Sequence, residues 1–278
     1  MAGAPITSCP MTGAPMIDAL HAEWTKFRTL ASSWWLLLAV AALTVTVSAA
    51  TAAGFHCPPD GCTPQLTGAD PARLGLSGVY LGQVVIALLA VLAIGGEYGN
   101  GMIRLTLTAI PRRLTAFCSK ALVTALAALG AAVAAVGGSM LAGALILPGK
   151  GLSATNGYQA LSLGNGADLR AACGSVLYLT LIALLAFGVT AAVRDAAAGI
   201  GLVLGVLLLF PIMSAVIPDH VLARHLEQLA PMTAGLYIQA TTGLDALPLT
   251  PWQGLGVTAL WALGALLLGA TLMRLRDA

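Results

Sequence analysis

Charge is what this chain lacks most. Only 9% of its 278 residues are Asp, Glu, Lys or Arg, and aromatics make up 5%. A soluble domain carries about 25% charged residues, so a solvated globular surface cannot be built from this composition. Strict apolar–polar alternation is also missing, which argues against an outer-membrane barrel. The four histidines (His21, His56, His220 and His225) all lie outside the long apolar runs. There is no HExxH string and no buried aspartate pair, and the five cysteines follow no metal-ligand spacing. The nearest approach to a phosphate-binding loop is Gly149-Lys150-Gly151. Ala144 stands where its first glycine is needed, and Gly151 stands where a Ser or Thr would hold magnesium. No ATP site is expected in the chain.

What remains is apolar: 58% of residues are hydrophobic and the mean hydropathy is +0.90. A bilayer core about 30 Å thick needs about 20 apolar residues, at about 1.5 Å of rise each. Six runs qualify, at about Trp34–Gly54, Ser77–Gly96, Ala121–Leu147, Ala171–Val193, Ala196–Ile217 and Trp252–Met273, and none holds a Lys, Arg, Asp or Glu. The expected fold is an all-α membrane protein with six spans. Ionisable groups inside spans mark proton relays and ion paths. Without them a proton-driven pump is hard to build, and the translocation surface, if there is one, is apolar.

Basic residues near span ends set the orientation. With the N-terminus cytoplasmic, the inner segments hold Lys26, Arg28, Arg104, Arg112, Arg113, Lys120, Arg194, Arg274 and Arg276. The outer loops hold only Arg73, Lys150, Arg170 and Arg224. Both termini are therefore expected inside. This distribution also accounts for the basic balance, and no nucleic-acid partner is expected. Residues 1–15 read as a disordered tail rather than a signal peptide, since the charged stretch Asp18–Arg28 separates them from the first apolar run.

Residues 16–33 place Ile17, Leu20, Trp24, Phe27 and Ala31 at three- and four-residue steps, with Glu23, Lys26 and Arg28 off that stripe. This is the pattern of an interfacial helix. In the first outer loop, Cys57 and Cys62 flank Pro-Pro-Asp-Gly. A disulfide is the favoured reading, with metal binding alongside His56 as the other. The second outer loop, about 148–170, is rich in Gly, Ser and Asn and reads as solvated. The third, Pro218–Pro251, carries two moderately apolar pieces broken by prolines, which suggests short helices. Arg194-Asp195 is a minimal turn between the fourth and fifth spans.

Between the second and third spans lies a basic insert, Gly95–Lys120, which carries four of the thirteen Lys and Arg residues. Its middle reads as a short amphipathic helix stopped by Pro111. Met102, Ile103 and Leu105 supply apolar contacts, and Arg104 suits an acidic partner surface. Arg112, Arg113 and Lys120 are open to two readings, partner contact or anchorage at anionic lipid heads. Glu97 is expected to pair with a nearby Arg or Lys.

Three segments in order resemble the membrane subunits of ABC exporters of the ABC-2 permease type. They are HAEWTKFRTLASSWWLLLA before and into the first span, GEYGNGMIRLTLTAIPRRLTAFCSKAL, and the closing PWQGLGVTALWALGALLLGATLMRLRDA. The resemblance implies a bacterial cytoplasmic membrane and an elbow helix over 16–33, with Glu23, Trp24, Lys26, Phe27 and Arg28. It also implies a coupling helix at about Asn100–Pro111 that docks on a separate ATPase. That interface would use Glu97, Tyr98, Asn100, Met102, Ile103, Arg104, Pro111, Arg112 and Arg113. ATP and magnesium would sit on two copies of the partner ATPase, and a second permease subunit would complete the pair. The cargo would be a drug, antibiotic, peptide or lipid. Two other readings stand beside it. One is a membrane scaffold or sensor that moves nothing. The other is a hydrolase built on Ser77, whose surrounding Gly75-Leu76-Ser77-Gly78 resembles the string of rhomboid-type intramembrane proteases. The latter lacks a histidine in the spans to act as base.

Overall fold

The computed structural model describes residues 24–25, 31–56, 63–64, 68–99 and 113–275. Nine α-helices order them. They are α1 (Ala31–Gly54), α2 (Pro71–Gly75), α3 (Val79–Gly99), α4 (Arg113–Ile146), α5 (Gly166–Val193), α6 (Ala196–Val216), α7 (His220–Leu229), α8 (Pro231–Leu236) and α9 (Pro251–Leu275). Among the described residues there is no strand. Six of the helices are long and apolar enough to cross a membrane. The chain is an all-α, multi-pass membrane protein.

Lipid-embedded helices gain nothing by hiding apolar surface from one another, so small residues and interhelical hydrogen bonds hold such bundles together. The centre is α5, which packs most extensively on α9 and α3. A Cβ on its Gly188 would lie 2.5 Å from the Ala265 carbonyl carbon, so only glycine lets α9 approach this closely. Tyr178, Leu179, Ile182, Leu185 and Phe187 of α5 are fully enclosed, and Phe187 meets Phe117 of α4 with ring centroids 5.3 Å apart. By contrast α6 is the least enclosed of the six. The turn at Arg194-Asp195 does fold α6 back on α5, and of the glycines of α6 Gly199 is the one that packs tightly, against Thr190.

The helices define two ends. At one, α3 finishes and α4 begins around residues 100–112, the α5–α6 turn closes, and α9 finishes; we call it the insert end. The other, the cap end, holds α2, α7 and α8. Both outer helices of the sequence conform to this pattern, because Ser48 near the end of α1 accepts a hydrogen bond from Gly78 N at 2.9 Å, fixing Gly54 at the cap end.

Three local results differ from the sequence reading. The helix of the third apolar run starts well before Ala121: α4 is one helix of 34 residues from Arg113. The fourth likewise starts before Ala171, at Gly166, capped by the Asn165 side chain on Ala167 N. The second outer loop is not simply solvated. Leu152 and Tyr158 bury themselves with Ala52 and Leu147 in a small second core, because these apolar side chains sit among otherwise polar residues and have somewhere dry to go. The two pieces of Pro218–Pro251 form α7 and α8, and a 3-10 turn at Tyr237–Gln239 follows α8.

Candidate functional site

The insert end is where the charges gather. Glu97 and Tyr98 lie in the last turn of α3, and Arg113 opens α4. Lys120 Nζ donates to Glu97 Oε1 at 2.7 Å, with the two residues only 4% and 6% exposed. This corrects the reading of Lys120 as a contact for partner or lipid. A helix that begins at Arg113 has turned twice by residue 120, which directs this lysine at α3 rather than outward. Tyr98 is half-buried against the main core, its phenol within electrostatic reach of both Arg194 and Glu97.

Arg194 ties in two further helices. Its φ of +63° is the left-handed conformation that ends α5, and its backbone N donates to Thr190 O at 2.8 Å. Its Nη2 donates to Leu272 O of α9 at 3.2 Å. Asp195 then caps α6 by accepting from Ala198 N at 2.7 Å. A cation on α9's last turn also suits the partial negative charge of that helix end. Gly95 of α3 admits Ala196 at the same level. The ends of α3, α4, α5, α6 and α9 thus meet in one joint. Chemically the joint neutralises charge, and among the described residues no nucleophile–base arrangement stands there. What it offers is mechanical connection.

Asn100, Met102, Ile103, Arg104, Pro111 and Arg112 lie outside the described residues. So do Glu23, Lys26, Phe27 and Arg28 of the elbow segment, where Trp24 is helical and exposed. Cys57 and Cys62 lie outside them too. Ser77 sits between α2 and α3 and pairs with Thr51, a threonine rather than an imidazole. The nearby His56 ring is engaged 2.6 Å from Gly54 O.

The sequence reading passed over two features. Asp70, directly before Pro71, is nearly buried and caps α2; an Asp ahead of a Pro at the first helical position is a readable cap signal. Gln83 of α3 and Tyr178 of α5, both fully buried, share a hydrogen bond. A predominantly apolar groove of about 420 Å³ also runs between α5, α6 and α9, lined by Leu185, Val206, Leu260, Trp261 and Leu268 among others. No protein-family model matches the chain, and no curated protein matches it.

Proposed function

We propose that the chain is the permease subunit of an ATP-driven exporter in a bacterial cytoplasmic membrane, powered by a separate ATPase. The observation that carries this reading is the joint around Glu97 and Lys120. Residues 100–112 leave α3 just past Glu97 and enter α4 seven residues before Lys120. A push on that basic insert would therefore reach two helices that are clamped together at its base. Through Arg194 it would reach α5 and α9 as well. The resemblance of the insert to the coupling segment of ABC-2 permeases supplies the partner. The predominantly apolar groove and the uncharged middle stretches of the spans support a hydrophobic or amphipathic cargo.

The test is co-purification with the ATPase encoded beside it, followed by ATPase and transport assays in proteoliposomes over a panel of amphipathic compounds. Arg104→Glu, or Met102→Ser with Ile103→Ser, is expected to cut transport at least tenfold per ATP hydrolysed while membrane insertion is unaffected. Unchanged transport with the partner bound normally would sink the coupling assignment.

A further inference from the structure

At the cap end a short strap, Tyr237–Thr242, packs through its 3-10 turn on α5 and α9. Its first four residues are buried, yet it is fastened chiefly through polar contacts. Asp70 supplies the main fastening. Its Oδ2 accepts from Thr241 N at 2.6 Å and Thr242 N at 3.1 Å, and its Oδ1 accepts from Thr241 Oγ1 at 2.7 Å. The same Oδ1 accepts from Ala72 N at 3.0 Å and Arg73 N at 3.4 Å, the cap of α2. Arg170 Nη2 donates to Ala240 O at 2.6 Å, and Gln239 Nε2 donates to Ser175 Oγ at 3.2 Å. Ile238 fills the notch left by Gly174 on α5.

Beneath the strap lie three fully buried polar side chains, Ser175, Tyr178 and Gln83. Buried polar groups in a membrane bundle are costly unless satisfied; here Tyr178 donates to Gln83, and Ser175 accepts from Gln239 of the strap. We infer that Tyr237–Thr242 is a gate over this polar seam, and that Asp70 is its latch.

Three observations separate a latch from a fixed cover. First, Asp70 stays anchored on α2 when the strap leaves, because two of its five donors belong to that cap and water can replace the other three. Second, the strap ends on Gly243, whose φ of +62° favours glycine and whose surroundings are open, so the chain can swing there. Third, the closed state leaves Arg170 Nε buried with no hydrogen-bond partner among the described residues, a cost that opening relieves. The inference goes beyond the exporter reading and does not require it, since nothing in the latch depends on ATP.

The experiment uses the full chain in lipid nanodiscs, where both faces are accessible, with its five native cysteines replaced by alanine and Ser175→Cys introduced. A maleimide reports access to the seam, and hydrogen exchange along α5 reports the integrity of the fold. With Asp70 present, labelling of the introduced thiol is expected to be slow. Asp70→Asn keeps an oxygen for the α2 cap but removes one acceptor for the strap, and is expected to speed labelling at least tenfold with α5 still protected. Thr241→Val, which removes only the hydroxyl contact, should give a smaller increase. Rapid labelling with Asp70 intact overturns the gate. Unchanged labelling in Asp70→Asn overturns the latch. Loss of protection throughout α5 would also overturn it, making Asp70 a support of the whole fold.

Discussion

Both ends of the bundle bury a carboxylate, and they neutralise it in opposite ways. At the insert end Glu97 is paired with a full charge, Lys120, from the neighbouring helix. At the cap end Asp70 faces five N–H and O–H donors and, among the described residues, no cation within hydrogen-bonding distance. A buried ion pair cannot be half-broken cheaply, because each charge is left without its counter-charge in a dry place. A carboxylate held by amides and a hydroxyl loses them one at a time, with water taking each position. The first arrangement makes a stiff joint and the second a reversible clasp. The same type of side chain is thus put to opposite mechanical uses.

The largest expected effect breaks the stiff joint. Lys120→Ala removes the counter-charge that Glu97 meets across the helix pair and is expected to cost about 3–5 kcal/mol of stability, whereas Glu97→Gln with Lys120→Met removes both charges and should recover most of it. Thermal unfolding in detergent measures both. If the single and double variants lose equally little, the joint is no stiffer than the clasp.

A smaller effect sharpens the cap end. Tyr237 donates to Glu227 Oε2 at 3.3 Å, and burial, then the Glu227 charge and this hydrogen bond, push its phenol up to about 12. The neutral phenol is the form that folding favours. Its contribution is therefore complete below about pH 10 and is lost as pH rises toward about 12. Tyr237→Phe should cost about 1 kcal/mol near neutrality and flatten that alkaline decline, as read by unfolding across the pH range. A decline that persists in the variant would assign it to another group.

The smallest expected effect is that of Ser77→Ala. With a threonine as its partner, Ser77 has no activated hydroxyl, and a serine-reactive fluorophosphonate should label neither the native chain nor the variant. Labelling that disappears in Ser77→Ala would revive the hydrolase reading.

The six long helices were legible because each contains an uninterrupted apolar run. The short helices of the third outer segment were legible because prolines punctuate it. The start of α4 was not, since Arg113–Lys120 is too polar to read as part of a span, and its helix is sustained by the apolar length that follows. Lys120 was misread for the same reason: its direction depends on where the helix begins. The Asp70 clasp joins residues about 170 positions apart, a pairing that no local pattern announces. The buried half of the second outer loop depends likewise on Ala52, which is far away in sequence.

One dimension of α4 has a consequence for the membrane itself. From Lys120 to Ile146 the helix rises roughly 39 Å, against a hydrocarbon core of about 30 Å. Exposed Trp34 and Trp35 near the start of α1 and Trp252 near the start of α9 are suited to hold the bundle at both interfaces. The Glu97–Lys120 pair then sits close to the hydrocarbon border, where acyl-chain length decides whether headgroups or lipid tails surround it. Thick, sterol-like bilayers would dry the joint and thin ones would wet it, so the lipids chosen for reconstitution become a setting of its stiffness.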